Sequence, residues 1–281
     1  MSPARPAEAL AAAEEFRPDL VVADMVDFLG QLVAAVRGVP YAVHGSTLPL
    51  AGPLATAFEK ALEPRFREHG VTRTPPVAYL DPWPASLLRP TDEYPVTRIQ
   101  VRAQPHSSEA GPSPVPRFPG REGRPVVLVT LGTVVDDSTA IESIVGSLTP
   151  LDVNILVAPY SGDGLEEQDL PDAQVRSAAF VPMKDLLAVS DLVVSTAGAG
   201  TVLATLSRGL PMVLLPMGLD KPVNAERAAA GAALVVARPG QVGPAVAQVL
   251  ADPSYAAASG AVAAQIAAAN TPDAVLEMLL R

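Results

Sequence analysis

The chain has 281 residues, of which 49% are hydrophobic and only 4% aromatic, and a formal net charge of −10. That acidity argues against a nucleic-acid-binding surface, which needs clustered Lys and Arg, and the absence of cysteine excludes disulfides, thiolate metal ligands and cysteine nucleophiles. A mean hydropathy of +0.27 fits a packed globular chain. Met1 to Leu20 lacks the apolar core of a signal peptide and no apolar run reaches bilayer length, so a cytoplasmic protein with no membrane span is expected.

Pro6 to Phe16 predicts a helix, ended by Pro18 before the strand-like Leu20-Val21-Val22-Ala23, with Asp24 at its carboxyl end. A helix over Phe28 to Arg37 stops at Gly38, Tyr41-Ala42-Val43 reads as a short strand, and Leu54 to His69 as an amphipathic helix. This β-α-β-α alternation predicts a parallel sheet. From Thr72 to Arg124 prolines crowd in, and His106 to Arg124 has almost no apolar residues. The expected organisation is a first domain over residues 1–104, a flexible linker over 105–124 and a second domain over 125–281.

In the second domain Val126 to Leu131 predicts a strand running into Gly132-Thr133, followed by a helix over Thr139 to Leu148 and strands at Asn154 to Ala158 and Val175 to Phe180. A short helix over Met183 to Ala188 precedes a strand at Leu192 to Ser195, a helix over Gly200 to Arg208 and a strand at Met212 to Leu215. Ala225 to Ala230 reads as a helix and Ala233 to Ala237 as the last strand. Helical stretches at Val242–Leu250, Tyr255–Ala269 and Ala274–Leu280 end the chain. Unalternating apolar strands belong to a sheet buried on both faces. The domain is therefore a doubly wound α/β unit, whose ligands bind outside the carboxyl ends of the strands.

At one such end stands Ser195-Thr196-Ala197-Gly198-Ala199-Gly200-Thr201, a strand running through small residues into a helix. Small side chains let a diphosphate approach the backbone, and a helix start offers free N–H groups and the positive end of its dipole. Taken alone, the loop serves equally well as a tight packing turn. It is neither a G-x-G-x-x-G nor a Walker loop.

The order of motifs adds to this. Leu128-Val129-Thr130-Leu131-Gly132-Thr133, Phe180-Val181-Pro182-Met183, Ser190-Asp191-Leu192-Val193-Val194, Gly209-Leu210-Pro211-Met212 and Asp220-Lys221-Pro222-Val223-Asn224-Ala225-Glu226-Arg227 follow one another. The series resembles the C-terminal domain of family-1 GT-B glycosyltransferases, especially bacterial enzymes that attach sugars to natural products. The likeness covers about Val126 to Arg281, and Arg17 to Leu50 more loosely. It implies a GT-B fold of two Rossmann-like doubly wound parallel-sheet domains, the N-terminal acceptor domain incomplete.

The resemblance implies a UDP- or dTDP-sugar donor, a small-molecule acceptor, and no cofactor or metal. It places Gly132 and Thr133 near the donor phosphates, Val181 and Pro182 at the nucleobase, Thr196, Gly198, Ala199, Gly200 and Thr201 at the diphosphate, and Asp220 with Lys221 at the sugar. Two positions depart from the family: Thr196 replaces a histidine, as in the N-acetylglucosaminyl transferase of peptidoglycan synthesis, and Lys221 replaces a glutamine. Without the motif, Asp220 reads as a solvated or helix-starting carboxylate, and Lys221 as meeting a phosphate, an acidic sugar or solvent.

The family's histidine base lies in a Gly/His loop that this chain does not carry; its histidines are His44, His69 and His106. Asp24 stands where the family keeps the aspartate that orients that base. His44, at a strand end, reads first as a structural or acceptor-lining residue. Asp24, Asp27, Asp136 and Asp137 read as helix-start carboxylates before metal ligands. The leading expectation is inverting transfer of a sugar. A catalytically inactive nucleotide-binding relative or fragment stays open beside it, its incomplete sheet covered by a second copy or a protein partner.

Overall fold

The computed structural model describes residues 4–50, 52–109, 111–132, 137–158, 173–178 and 181–281, and the chain divides into two units, residues 1–102 with 269–281 and residues 103–268. Unit 1 contains α1 (Ala4–Phe16), β1 (Val21–Asp24), α2 (Phe28–Arg37), β2 (Tyr41–His44), α3 (Gly52–Glu68), β3 (Tyr79–Asp81) and β4 (Arg98–Gln100). Its strands form one parallel sheet in the order β1-β2-β3-β4. Asp27 starts α2 by accepting from the amides of Leu29 and Gly30, and Gly38 ends it at φ 68°, a left-handed turn that suits glycine. Alternate side chains split between the two faces of the sheet. Tyr41, Val43 and Tyr79 pack with Met25 and Ala34, while Ala42 and Leu80 pack with Val101 and Val275.

Strands β3 and β4 lie where the prolines crowd, and sequence reading assigned no elements there. Each strand is only three residues long, and Pro76, Pro82 and Pro95 flank them without removing a ladder donor. The two are tied by a buried carboxylate. Asp81, 0% exposed, accepts from Arg98 Nε at 2.6 Å, the Tyr94 hydroxyl at 2.6 Å and the Trp83 amide at 3.0 Å.

Three phenols in this unit are held in their neutral form. Burial raises the pKa of Tyr41, Tyr79 and Tyr94, and Asp81 adds to the rise for the last two through its charge and, at Tyr94, through the hydrogen bond. In the unfolded chain these phenols ionise near the ordinary value of about 10. Their contribution to stability is therefore complete below about pH 10 and is lost as pH rises beyond it. Alkaline titration is expected to show the tyrosinate absorbance of these three, out of five tyrosines in the chain, appearing together with loss of circular dichroism. Ionisation of these phenols at pH 10 in a folded chain would contradict it.

Unit 2 contains β5 (Val126–Thr130), α4 (Ser138–Leu148), β6 (Asn154–Val157), β7 (Val175–Ser177), α5 (Met183–Ala188), β8 (Leu192–Ser195), α6 (Ala199–Ser207), β9 (Met212–Leu214), α7 (Lys221–Ala228), β10 (Ala233–Val235), α8 (Val242–Ala251) and α9 (Pro253–Ala268). All six strands are parallel, in the order β10-β9-β8-β5-β6-β7. Consecutive residues Val127, Leu128 and Val129 are all buried, as expected of a sheet covered on both faces. Helix α8 meets the end of α4 so closely that any side chain at Gly243 would run into the Ser147 carbonyl. Among the described residues no helix is long and apolar enough to cross a membrane.

Two expectations about organisation are corrected. Residues 269–281 belong to unit 1, not to the second domain: Asn270 Nδ2 donates to Gln100 O, its carbonyl accepts from the Arg102 amide, and Val275 of α10 (Pro272–Leu279) enters the Ala42–Leu80 face. The stretch 105–124, expected to be a flexible linker, is strapped along unit 2. There the Lys184 amide donates to His106 O, the Ser113 amide to Asp185, and Arg121 to Asn154, Asp152 and Val153 O. Low hydrophobicity hid this attachment, which is made by polar groups together with one buried aromatic ring, that of Phe118 under the Arg176 guanidinium.

Candidate nucleotide site

In unit 2 the chain winds in opposite directions from the centre of the sheet, through β6 and β7 on one side and β9 and β10 on the other. β5 and β8 lie side by side at that reversal, with Thr130 in register with Ser195. Their outgoing loops diverge and leave a crevice, the usual ligand position of an open α/β sheet. The loop after β9 is next to it, since Ser195 is also in register with Leu214.

Within the β8–α6 loop, Ala197 adopts φ 67°, a conformation that L residues rarely take. Gly198 occupies the N-cap of α6 in extended conformation, and no side chain of the described residues caps the helix. A Cβ added at Gly198 or at Gly200 would meet nothing within 4 Å. Among the described residues, neither the backbone at Gly198 nor packing at either position calls for glycine, and no side chain of theirs caps the first-turn N–H groups of α6. Thr201 stands in the same turn and is partly exposed.

Thr196 behaves differently from its neighbours. It was expected to face the diphosphate, but it is 1% exposed and its hydroxyl donates to Leu131 O at 2.9 Å, tying the β8 loop to the β5 loop. Gly132, at φ 75°, turns the β5 loop and donates its N–H to Thr130 Oγ1. Thr133, Asp136 and Phe180 lie outside the described residues.

After β9, Gly218 and Leu219 take positive φ values of 78° and 52° and lead into α7, which begins at Lys221 rather than at the expected Ala225. Pro222 in the first turn suits a helix start, where its missing N–H costs nothing. Asp220 makes no capping bond to its own helix; its Oδ2 accepts instead from Asn224 Nδ2 at 2.8 Å. Lys221 is 5% exposed, which removes its reading as a solvated side chain. Val181 is partly exposed, while the Pro182 carbonyl accepts from the Asp185 and Leu186 amides at the start of α5.

In unit 1, Asp24 and His44 are register partners at the carboxyl ends of β1 and β2. Asp24 Oδ1 accepts from the Val26 amide. Asp27 and Asp137 start helices α2 and α4, the structural role read for them. A cavity of about 250 Å³ opens beside this sheet, with Met25, Val43, Tyr79 and Tyr94 in its wall and an ion pair between Arg73 and Glu59. Sequence reading missed Asn224, which was quoted only as part of a motif, and Asp81, which had no strand to belong to.

A six-stranded parallel sheet reversing at its centre, with a second parallel-sheet unit in the same chain, is the architecture of a GT-B glycosyltransferase. Residues 142–281 match the family described as "Erythromycin biosynthesis protein CIII-like, C-terminal domain". The L-demethylnoviosyl transferase of Streptomyces niveus is 32% identical over 78% of this chain and 58% of its own length. The elloramycin glycosyltransferase ElmGT of Streptomyces olivaceus is 28% identical over 95% of this chain and 69% of its own. The solved spinosyn rhamnosyltransferase SpnG, complexed with thymidine diphosphate, superposes with a TM-score of 0.83 at 27% identity, over 98% of this chain and 76% of that one. The chain is similar over most of its length to bacterial family-1 glycosyltransferases of natural products, and it shares their GT-B fold. It spans little more than half the length of the noviosyl transferase.

Proposed function

We propose that the chain binds a pyrimidine nucleoside diphosphate sugar and transfers the sugar, with inversion, to a hydroxyl of a small natural-product-like acceptor. The observation that carries this reading is the open, uncapped first turn of α6 at the reversal of the sheet. The diphosphate would rest on Gly132 and on the amides of Gly198 to Thr201, the base against Val181 and Pro182, and the sugar beside Asp220 and Lys221. The thymidine diphosphate bound by SpnG favours dTDP over UDP as the carrier.

In the reaction the acceptor oxygen bonds to the anomeric carbon as the bond to the diphosphate breaks on the opposite face, and the hydroxyl proton leaves to a base. The first-turn amides of α6 would stabilise the charge gathering on the departing diphosphate. Asp24, at the end of β1, is the carboxylate that would orient a histidine base; none of His44, His69 and His106 lies in a Gly/His loop of the kind that carries one. The cavity of unit 1, with two tyrosines in its wall, offers an apolar seat for an acceptor ring.

Calorimetric titration with UDP, dTDP and ADP tests the donor site. One pyrimidine diphosphate is expected to bind, and Thr201→Ala to weaken it by about threefold to tenfold through one lost hydrogen bond. A folded chain that binds none of the three would overturn the proposal.

A further inference from the structure

We infer that Asn224 is a positioning residue, coupling the phosphate-side loop to the carboxylate of Asp220; this rests on the donor-site reading above. Asn224 is 0% exposed, in the first half of α7. Its amide group donates to two acceptors, the Ala197 carbonyl at 3.1 Å and Asp220 Oδ2 at 2.8 Å. Both partners only accept, so the NH₂ of Asn224 must face them, one hydrogen to each.

Each end of this bridge holds something that would not hold itself. Ala197 sits at φ 67°, a conformation with an intrinsic cost for an L residue. Its loop is fastened on one side by the Thr196 hydroxyl to Leu131 O, and on the other by Asn224. Asp220 stands at the start of α7 without bonding that helix's amides, so its rotamer is set by Asn224 one turn on. The arrangement fixes Oδ2 and leaves Oδ1 without a hydrogen-bond partner among the described residues. A carboxylate held in that way is a preorganised acceptor for a hydroxyl of the ligand. The bridge therefore sets the distance between the seat of the diphosphate and the group that would read the sugar.

A merely structural asparagine would weaken nucleotide and nucleotide sugar alike. A positioning asparagine changes their ratio. The experiment measures dissociation constants of dTDP and dTDP-glucose, or of UDP and UDP-glucose if the chain holds that nucleotide, with melting temperatures alongside. The natural chain is compared with Asn224→Ala, Asp220→Asn and the double variant.

Asn224→Ala is expected to lower the affinity for the nucleotide sugar relative to the nucleotide by about fivefold to tenfold, the effect of one charge-assisted hydrogen bond. Asp220→Asn is expected to do the same, and the double variant no more than either. A ratio unmoved by Asn224→Ala, or losses that multiply in the double variant, overturns the inference while leaving the donor site standing. If Asn224→Ala does not fold, Asn224→Ser carries the same cycle. A natural chain that binds neither nucleotide removes the donor-site reading itself.

Discussion

Gly200→Asp is expected to raise the melting temperature and to abolish nucleotide binding in the same protein. Gly200 is exposed in the first turn of α6, and a Cβ there meets nothing within 4 Å. Replacing a helical glycine gains about 0.5–1 kcal/mol. A carboxylate in the first turn, which carries no acid at present, gains roughly 0.3–1 kcal/mol from the helix dipole. The same charge would stand where the diphosphate is proposed to rest. Two unit charges about 4 Å apart near a surface repel by about 4 kcal/mol, close to a thousandfold in affinity. Gly200→Ala serves as the comparison, with the stability gain and without the charge. Thermal melting and calorimetry on the three proteins decide the matter. Stability and affinity moving in opposite directions cannot come from misfolding, and undiminished binding by Gly200→Asp would remove the phosphate from this turn.

Asp81→Ala should cost unit 1 about 3–5 kcal/mol, because it leaves the Arg98 guanidinium part-buried without its carboxylate and withdraws the acceptor of Tyr94 and of the Trp83 amide. Asp81→Asn, which keeps the size but not the charge, should fall between it and the natural chain. The measurement has a built-in reporter. Trp83 is the only tryptophan, it is fully buried, and it lies two positions from Asp81, so its fluorescence in urea follows unit 1 rather than the whole chain. A shift below about 1 kcal/mol would mean that short β3 and β4 are held by their apolar faces alone.

The contrast between the two units explains what could be read in advance. In unit 2 the strands are buried on both faces, so runs such as Val126 to Thr130 and Leu192 to Ser195 stand out as apolar blocks that lead to glycines, Gly132 and Gly198, and their carboxyl ends point to the crevice. In unit 1 the last two strands are three residues long and fenced by proline, and composition there resembles a loop. Apolar spacing identified the C-terminal helix within two residues at its start, yet a helical period carries no address for the sheet it will cover. The loops of the candidate site were legible, and the placement of side chains within them was not. Thr196 and Thr201 are the same residue type in one loop, and only the fold turns the first inward to Leu131 and leaves the second in the open turn. Asn224 acts through partners 27 and 4 positions away, and no spacing rule joins those three residues.

The return of the C-terminal helix to unit 1 sets an order of events during synthesis. Unit 2 is contiguous, residues 103–268, and is complete once those residues have left the ribosome. Unit 1 begins first and closes last, because Asn270 reaches back to Gln100 across 170 positions and Val275 covers the face of Ala42 and Leu80. Until then that face lacks Val275 and Leu279, and closing so long a loop is slow compared with the local pairings of unit 2. Of the two units, the one whose residues are translated first is thus the one that closes last, when residues 269–281 join it.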